Sequence, residues 1–431
     1  MSMSKRRLAA VATAVLAALV LAVPIGSATA RTLAAAPERH ADTNRWSAAW
    51  AAAQQPATNI SFGGPNWSVG GFTGETVRQI VRVTTGGSHV RIRLSNRYGS
   101  KPLQITGATI AKRETGAKVK PEAIRPLTFE HGPSTTIPVG AETASDAVQL
   151  PTSPLESLTV TMYFAESTGP ATFHGNALST SYKATGDHRF DHGDEAFTSR
   201  TSYAWYFLTG VDVTGGEPTT GGTVVAFGDS ITDGYGSRPD TDNRYPDELA
   251  ERLVANGTPR AVANSGISGG RLLGDSLCFG QEGVTRHQWD VLDQPNVSTA
   301  IILLGLNDIG TSGSPDVGCG LPLVVTPEQV IEGHRTLIEQ AHARGLTVIG
   351  ATFTPMKGSR YHSPEKEAIR DAVNEWILNS GEYDHVFDVA KLLADPADAD
   401  AMNPAYDSGD HLHPNDAGRA VIAEAIDLDW L

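Results

Sequence analysis

After Gly222 the sequence alternates short apolar strands with capped helices, and few folds accept that order. Thr223–Phe227 is a near-continuous apolar run, the pattern of a strand buried on both faces. Helical text follows at 244–256, and short strands are expected at Ala261–Ala263 and Thr299–Leu304. Thr326-Pro327-Glu328-Gln329 reads as a capping box with proline in the first turn, opening a helix that stops at Arg344-Gly345. Leu346–Phe353 is a fourth strand, Ser363-Pro364-Glu365 opens a helix to about Ser380, His385–Val389 is a fifth strand, and 415–427 a last helix. Strand-helix repetition of this kind builds a parallel sheet with helices on both faces. The expectation for 223–431 is a doubly wound α/β domain with five parallel strands.

The text before Gly222 is different. Leu158, Val160, Met162 and Phe164 alternate with Thr159, Thr161 and Tyr163, and Val90, Ile92 and Leu94 alternate with Arg91 and Arg93. Glycine pairs and Gly-Pro steps punctuate these runs, and no convincing amphipathic helix appears. An all-β sandwich or jelly roll is expected over 45–213, with 214–222, rich in Gly and Thr, as a linker. Charge divides at the same place. Residues 31–220 carry 17 basic and 16 acidic side chains, whereas 221–431 carry 14 and 32. The net charge of -14 gives no basic footprint for nucleic acid.

The N-terminus reads as an address. Lys5, Arg6 and Arg7 precede an apolar run from Leu8 to Ile25, and Ala28-Thr29-Ala30 fits the small-x-small cleavage pattern. Residues 1–30 are therefore expected to be a signal peptide and 31–44 a flexible lead-in, making the protein secreted, with no stable membrane insertion after cleavage. Cys278 and Cys319 are the only cysteines. Export favours their pairing, and in a parallel sheet their two loops leave the same edge, so a disulfide is expected.

In doubly wound sheets, sites form beyond the carboxyl ends of the strands. Here those ends lead into Gly228-Asp229-Ser230, then Asn264 to Gly270, then Gly305-Leu306-Asn307-Asp308, and finally Asp410-His411-Leu412-His413-Pro414. A hydroxyl, a glycine backbone, an amide and an Asp/His pair thus share one edge. Ester hydrolysis needs that set: a serine activated by a base, a carboxylate to orient the base, and donors for the oxyanion. Competing readings exist for several of these residues. Gly274-Asp275-Ser276 repeats the first tripeptide but follows no buried strand. Gly266-Ile267-Ser268-Gly269-Gly270 fits a G-x-S-x-G elbow, yet two glycines start a helix poorly. His411 competes with His413, whose three-residue separation from Asp410 and following Pro414 favour it. Asp229 and Asp308 are read as structural hydrogen-bonders, and Asp410 has an alternative reading as a helix cap.

With these residues in view, 223–431 resembles the SGNH, or GDSL, hydrolases, in which Ser, Gly, Asn and His recur in four blocks. The resemblance implies Ser230 as nucleophile, with His413 and Asp410 completing a triad. It implies an oxyanion hole from Ser230, Gly269 and Asn307. It calls for no cofactor and no metal. The upstream β unit, starting at Trp46 and Trp50, resembles that of a secreted, acetylxylan-esterase-like branch. The function so implied is a secreted serine esterase acting on carboxylic esters, with acetylated polysaccharide or small acyl esters as substrate. The alternatives are a lipase or general carboxylesterase on lipid esters, and a non-catalytic carbohydrate-binding protein. Two further groups carry alternatives. Asp187, His188, Asp191, His192, Asp194 and Glu195 read as a solvated loop or a metal site. Phe62, Trp67 and Phe72 read as core packing or as a substrate-facing loop.

Overall fold

The computed structural model describes residues 46–216, 221–320 and 322–431. The expected leader and lead-in, and the centre of the expected linker at 217–220, lie outside the described residues.

Downstream of Gly222 the sheet is parallel throughout. Its strands lie in the spatial order Val262–Gly266, Thr223–Gly228, Val297–Leu303, Thr347–Ala351, His385–Phe387. The first strand in sequence is therefore second in space, the flavodoxin-like order, with its crevice beside the first strand's carboxyl end. Thr223–Gly228 is buried along its whole length, as its apolar run requires. The capping box at Thr326 is formed, with Gln329 answering Thr326 on the helix Pro327–His342. The second strand runs to Gly266, past the expected end at Ala263. Its polar tail reads as loop because it lacks apolar residues. It stays extended through in-register pairing with Ala226–Gly228, while Asn264 and Ser265 donate to the carbonyls of Thr232 and Asp290.

Upstream, two antiparallel sheets enclose one apolar core, as the sandwich expectation required. One joins Ser47–Ala51, Leu208–Thr214, Gly87–Ser95 and Val148–Thr152, with Glu142–Ala144 also on Gly87–Ser95. The other runs Thr201–Ser202, Ser181–Thr185, Glu75–Arg82, Ser157–Phe164, Gly107–Thr115, Lys118–Val119, with Arg125–Leu127 added. Val90, Ile92 and Leu94 from the first sheet meet Leu158, Val160, Met162 and Phe164 from the second. The alternation in Ser157–Phe164 predicts one exposed face, yet Thr159 and Thr161 are buried too. The loop 187–195 folds over that face. The buried guanidinium of Arg78 joins them, donating to Thr161 Oγ1 and to the carbonyls of Ala117, His188, Asp191 and Gly193.

The described residues belong to one unit, and the contact between the halves is intimate. The strand Ser47–Ala51 lies beside Val262–Gly266, the outermost strand of the parallel sheet. Ala48 and Ala51 enter the apolar core of the α/β half, where their small side chains allow close approach. Thr84 Oγ1 donates to the carbonyl of Val262 and accepts from its N–H. An edge strand that would otherwise offer unpaired backbone is thereby covered. None of the described helices is long and apolar enough to cross a membrane.

Candidate active site

Thr223–Gly228 ends in a sharp turn, and Ser230 is the first residue of a one-turn helix, Ser230–Asp233. Asp229 caps it, its carboxylate accepting from the N–H of Ile231. Burial pushes the Asp229 carboxyl up to about 7, against the pull of that hydrogen bond. As the opening residue of the helix, Ser230 has an N–H with no intrahelical partner. Gly234 ends the turn at φ 95°, a left-handed conformation that favours glycine.

Ser230 Oγ lies 2.8 Å from His413 Nε2, and His413 Nδ1 lies 2.6 Å from Asp410 Oδ2. Asp410 also accepts from the backbone N–H groups of Leu412 and His413 at 3.0 and 2.9 Å, so its carboxylate folds back on its own turn. It does not cap the last helix, Asp416–Glu424, whose cap is Asn415. Partial burial opposes the charge on Asp410, but the hydrogen bond and positive field of His413 hold its carboxyl well below the usual range. The Tyr235 ring lies against the imidazole of His413, centroids 4.6 Å apart.

Gly269 and Asn307 line the same cavity as Ser230 and His413. Gly269 has φ +79°, and a Cβ there would stand 2.6 Å from the Phe279 ring, so both backbone and space call for glycine. Asn307 Nδ2 donates to the carbonyl of Gly270 at 3.0 Å, and Asn307 Oδ1 accepts from the Tyr361 hydroxyl at 2.8 Å. Those contacts fix the amide and leave one N–H of the Nδ2 group free of them. Burial raises the Tyr361 phenol, so its proton stays in place to donate. Asp308, pushed up to about 6 by burial, accepts from the N–H groups of Leu272 and Leu273. It ties the Asn307 turn to the Gly269 loop, the structural role read for it.

The competing residues make other contacts, although Ser268 lines the same cavity. Ser268 Oγ donates to Asp233 and accepts from Asn176, with no imidazole in contact. Ser276 Oγ meets the carbonyl of Cys319. His411 is exposed and pairs with Asp407. Cys278 and Cys319 are bonded to each other, tying the loop after Gly269 to the loop after Asn307. The acidic loop 187–195 does not converge on an ion position. His188 pairs with Asp191, Asp187 with Arg189, and its carbonyls turn to Arg78. Among the described residues, Glu367, Asp371 and Asp400 stand close enough to share a cation. The guanidinium of Arg370 already occupies that position, bonded to all three.

The cavity measures about 730 Å³ and is open on one side. Part of its wall is built by the upstream half, through Phe62, Asn176, Leu178 and Tyr203. Phe62 stands near Tyr235 and Phe279, centroids 6.3 and 6.4 Å away. Core packing describes Phe72, which is buried, and Trp67, which stacks on Tyr206. Phe62 departs from it: it sits on a glycine-flanked loop that ends at the cavity rather than in the sandwich. Sequence reasoning missed Asn176, Leu178, Tyr203, Tyr361 and Asp233. None lies in a motif, and only Asp233, one turn after Ser230, stood close enough in sequence to be found.

Residues 226–421 match the family model described as GDSL-like Lipase/Acylhydrolase family. The comparison with curated proteins gives no match. Among solved structures, the acetyl xylan esterase AlAXEase is similar at 19% identity over 47% of this chain and 96% of its own, TM-score 0.36. Axe2, an acetylxylan esterase from Geobacillus stearothermophilus, is similar at 21% identity over 47% and 91%, TM-score 0.35. LAE5, an alpha/beta hydrolase enzyme from the metagenome of Lake Arreo, Spain, is similar at 24% identity over 47% and 92%, TM-score 0.34.

Proposed function

We propose, from the match of residues 226–421 to the GDSL-like Lipase/Acylhydrolase family model, that the chain is a secreted serine esterase working through an acyl-enzyme. The observation that carries the reading is the hydrogen-bonded chain Ser230–His413–Asp410 at the wall of an open cavity. In this scheme His413 Nε2 takes the Ser230 proton as Oγ attacks the ester carbonyl carbon. Asp410 holds the imidazole in the tautomer that presents Nε2 and steadies the cation that forms. The N–H groups of Ser230 and Gly269 and the Asn307 amide receive the oxyanion. Collapse of the tetrahedral intermediate breaks the bond to the alcohol oxygen, which leaves with the proton from His413. Water, deprotonated in turn by His413, then attacks the acyl-Ser230 carbonyl and releases the acid.

The preferred substrate is an acetylated polysaccharide. Phe62, Tyr235 and Phe279 offer flat apolar faces around Ser230, with Asn176, Ser237 and the exposed Arg360 among them. Ring faces interspersed with a few polar groups suit a sugar, whose C–H faces are apolar and whose edges hydrogen-bond. A second reading, a lipid ester, has its own support. Leu277, Val317, Leu323 and Val324 are exposed around the Cys278–Cys319 bridge, 73, 83, 48 and 73% accessible. The bridge itself supports export, since disulfides persist in oxidising compartments.

The test is a panel of p-nitrophenyl esters of graded acyl length together with acetylated xylan, run beside labelling by a fluorophosphonate. The reading expects turnover that falls as the acyl chain lengthens, acetate release from xylan, and the label on Ser230. Preference for long acyl chains with no release from xylan would move the substrate to lipid esters. A protein that binds xylan but turns over no ester would reduce it to a binding protein.

A further inference from the structure

The loop that carries Gly269 is held from behind by a buried polar chain. The N–H and Oγ–H of Ser268 both donate to Asp233 Oδ2, at 2.7 and 2.5 Å. Asp233 Oδ1 lies 3.0 Å from His174 Nε2, and His174 Nδ1 lies 2.8 Å from the carbonyl of Ala53. Asn176 Nδ2 donates to Ser268 Oγ at 3.1 Å. Asp233, His174, Ser268 and Asn176 are each at most 3% exposed.

Three features make this more than packing. Asp233 closes the helical turn that Ser230 opens, so one turn of backbone carries the hydroxyl at one end and the loop's anchor at the other. Both His174 nitrogens face acceptors, Asp233 Oδ1 and the carbonyl of Ala53, an arrangement that a doubly protonated ring satisfies at both ends. The neighbouring guanidinium of Arg244 is engaged with Asp247, Asp242 and the carbonyl of Ala177. Burial disfavours a charged imidazole, but the field and hydrogen bond of Asp233 outweigh it and raise the His174 pKa. Finally, His174 and Asn176 belong to the upstream half. His174 ends the short strand Phe173–His174, paired with Trp205–Tyr206.

We propose that His174, Asp233 and Asn176 are positioning residues that set the Gly269 N–H relative to Ser230, which makes the upstream β half a working part of the oxyanion hole. None of the three donates to the oxyanion. They act through Ser268, the residue before Gly269. The inference rests on the esterase reading above. Its magnitude follows from the sensitivity of preorganised donors to placement, where about 1 Å of error costs on the order of a hundredfold in rate.

The experiment compares full-length His174→Gln, Asp233→Asn and Asn176→Ala with the parent on p-nitrophenyl acetate, each also combined with Asn307→Ala. Expected is a fall in kcat of roughly 10- to 100-fold for His174→Gln and Asp233→Asn, with KM within about twofold. For Asn176→Ala a fall of several-fold is expected. On the Asn307→Ala background the same substitutions should cost markedly less, because the device they serve is already impaired. Losses that multiply undiminished on that background, or that fall on KM alone, would overturn the proposal. So would a folded His174→Gln enzyme with parental kcat. If His174→Gln does not fold, Asn176→Ala and Ser268→Ala decide by the same criteria. Ser230→Ala run alongside separates the two failures: activity in that variant sinks Ser230 as the nucleophile on which the proposed mechanism rests, whereas its inactivity beside a normal His174→Gln sinks only this one.

Discussion

The two halves of this protein are built on opposite plans. In the α/β half the chemistry sits on loops that leave one edge of a parallel sheet, and each proposed catalytic group follows a strand or opens a helix. In the β half no such edge exists. Its sheets serve a core of their own, and its contributions to the cavity come from a glycine-rich loop at Phe62, from Asn176 and Leu178, and from Tyr203. A parallel sheet concentrates function by topology, whereas an antiparallel sandwich lends function by where it is docked. The interface shows this: Ala48, Ala51 and Thr84 cover the edge strand Val262–Gly266, and that docking brings His174 to Asp233.

The sharpest division of labour concerns Ser230. Its replacement by alanine should lower turnover by about a millionfold, as loss of a nucleophile does in serine hydrolases, with the fold intact by circular dichroism. Retained turnover in that variant, with loss in Ser268→Ala, would move the chemistry to the other loop.

Removal of the β half comes next. A chain beginning at 222 should be insoluble, or at least a hundredfold less active, because the edge strand, part of the cavity wall and the anchor of Asp233 all go with it. A monodisperse fragment with full turnover of p-nitrophenyl acetate would break the comparison outright.

Asn307→Ala tests the α/β half alone. It should slow kcat about a hundredfold while KM changes little, since its donor meets charge that develops in the transition state. Phe62→Ala tests the β half alone. It should raise KM for acetylated xylo-oligosaccharides several-fold, the scale of about 1 kcal/mol for an aromatic contact, and leave p-nitrophenyl acetate nearly unaffected. Equal effects on both substrates would remove Phe62 from the sugar face.

The smallest effect concerns Asp229. Its carboxyl stands near 7 in the folded chain against an ordinary 3.8. Between those values the folded state holds a proton that the unfolded state releases, so this group favours folding as pH falls from about 8 towards 4 and opposes it above 7. Asp229→Asn should therefore narrow the difference in melting temperature between pH 5 and pH 8. An unchanged difference would show that Asp229 titrates normally.

The parallel sheet was legible because periodicity and caps are local. Thr223–Phe227 has the pattern of a doubly buried strand and Thr326-Pro327-Glu328-Gln329 that of a helix start, and both form. The convergence of Ser230, His413 and Asp410 was legible because their segments all reach one edge of the parallel sheet. The bridge between Cys278 and Cys319 followed from that same edge and from their being the only pair. The acidic segment 187–195 reads as a loop or an ion site because charge spacing alone does not separate the two, and its wrapping around Arg78 joins residues more than 100 positions apart.

Local pattern thus determined the strands, the helices and the order of the chemical groups along the chain, because hydrophobic period and turn chemistry act over a few residues. Only the tertiary structure decided what stands behind the Gly269 loop and what faces Ser230. His174 lies 59 residues from Asp233, Asn176 lies 92 from Ser268, and Tyr361 lies 54 from Asn307. Each is one polar side chain in an unremarkable context, and its partner is chosen by how two independently patterned halves dock. Burial then gives those pairings their force, since a polar group cut off from water must find its partner within the fold.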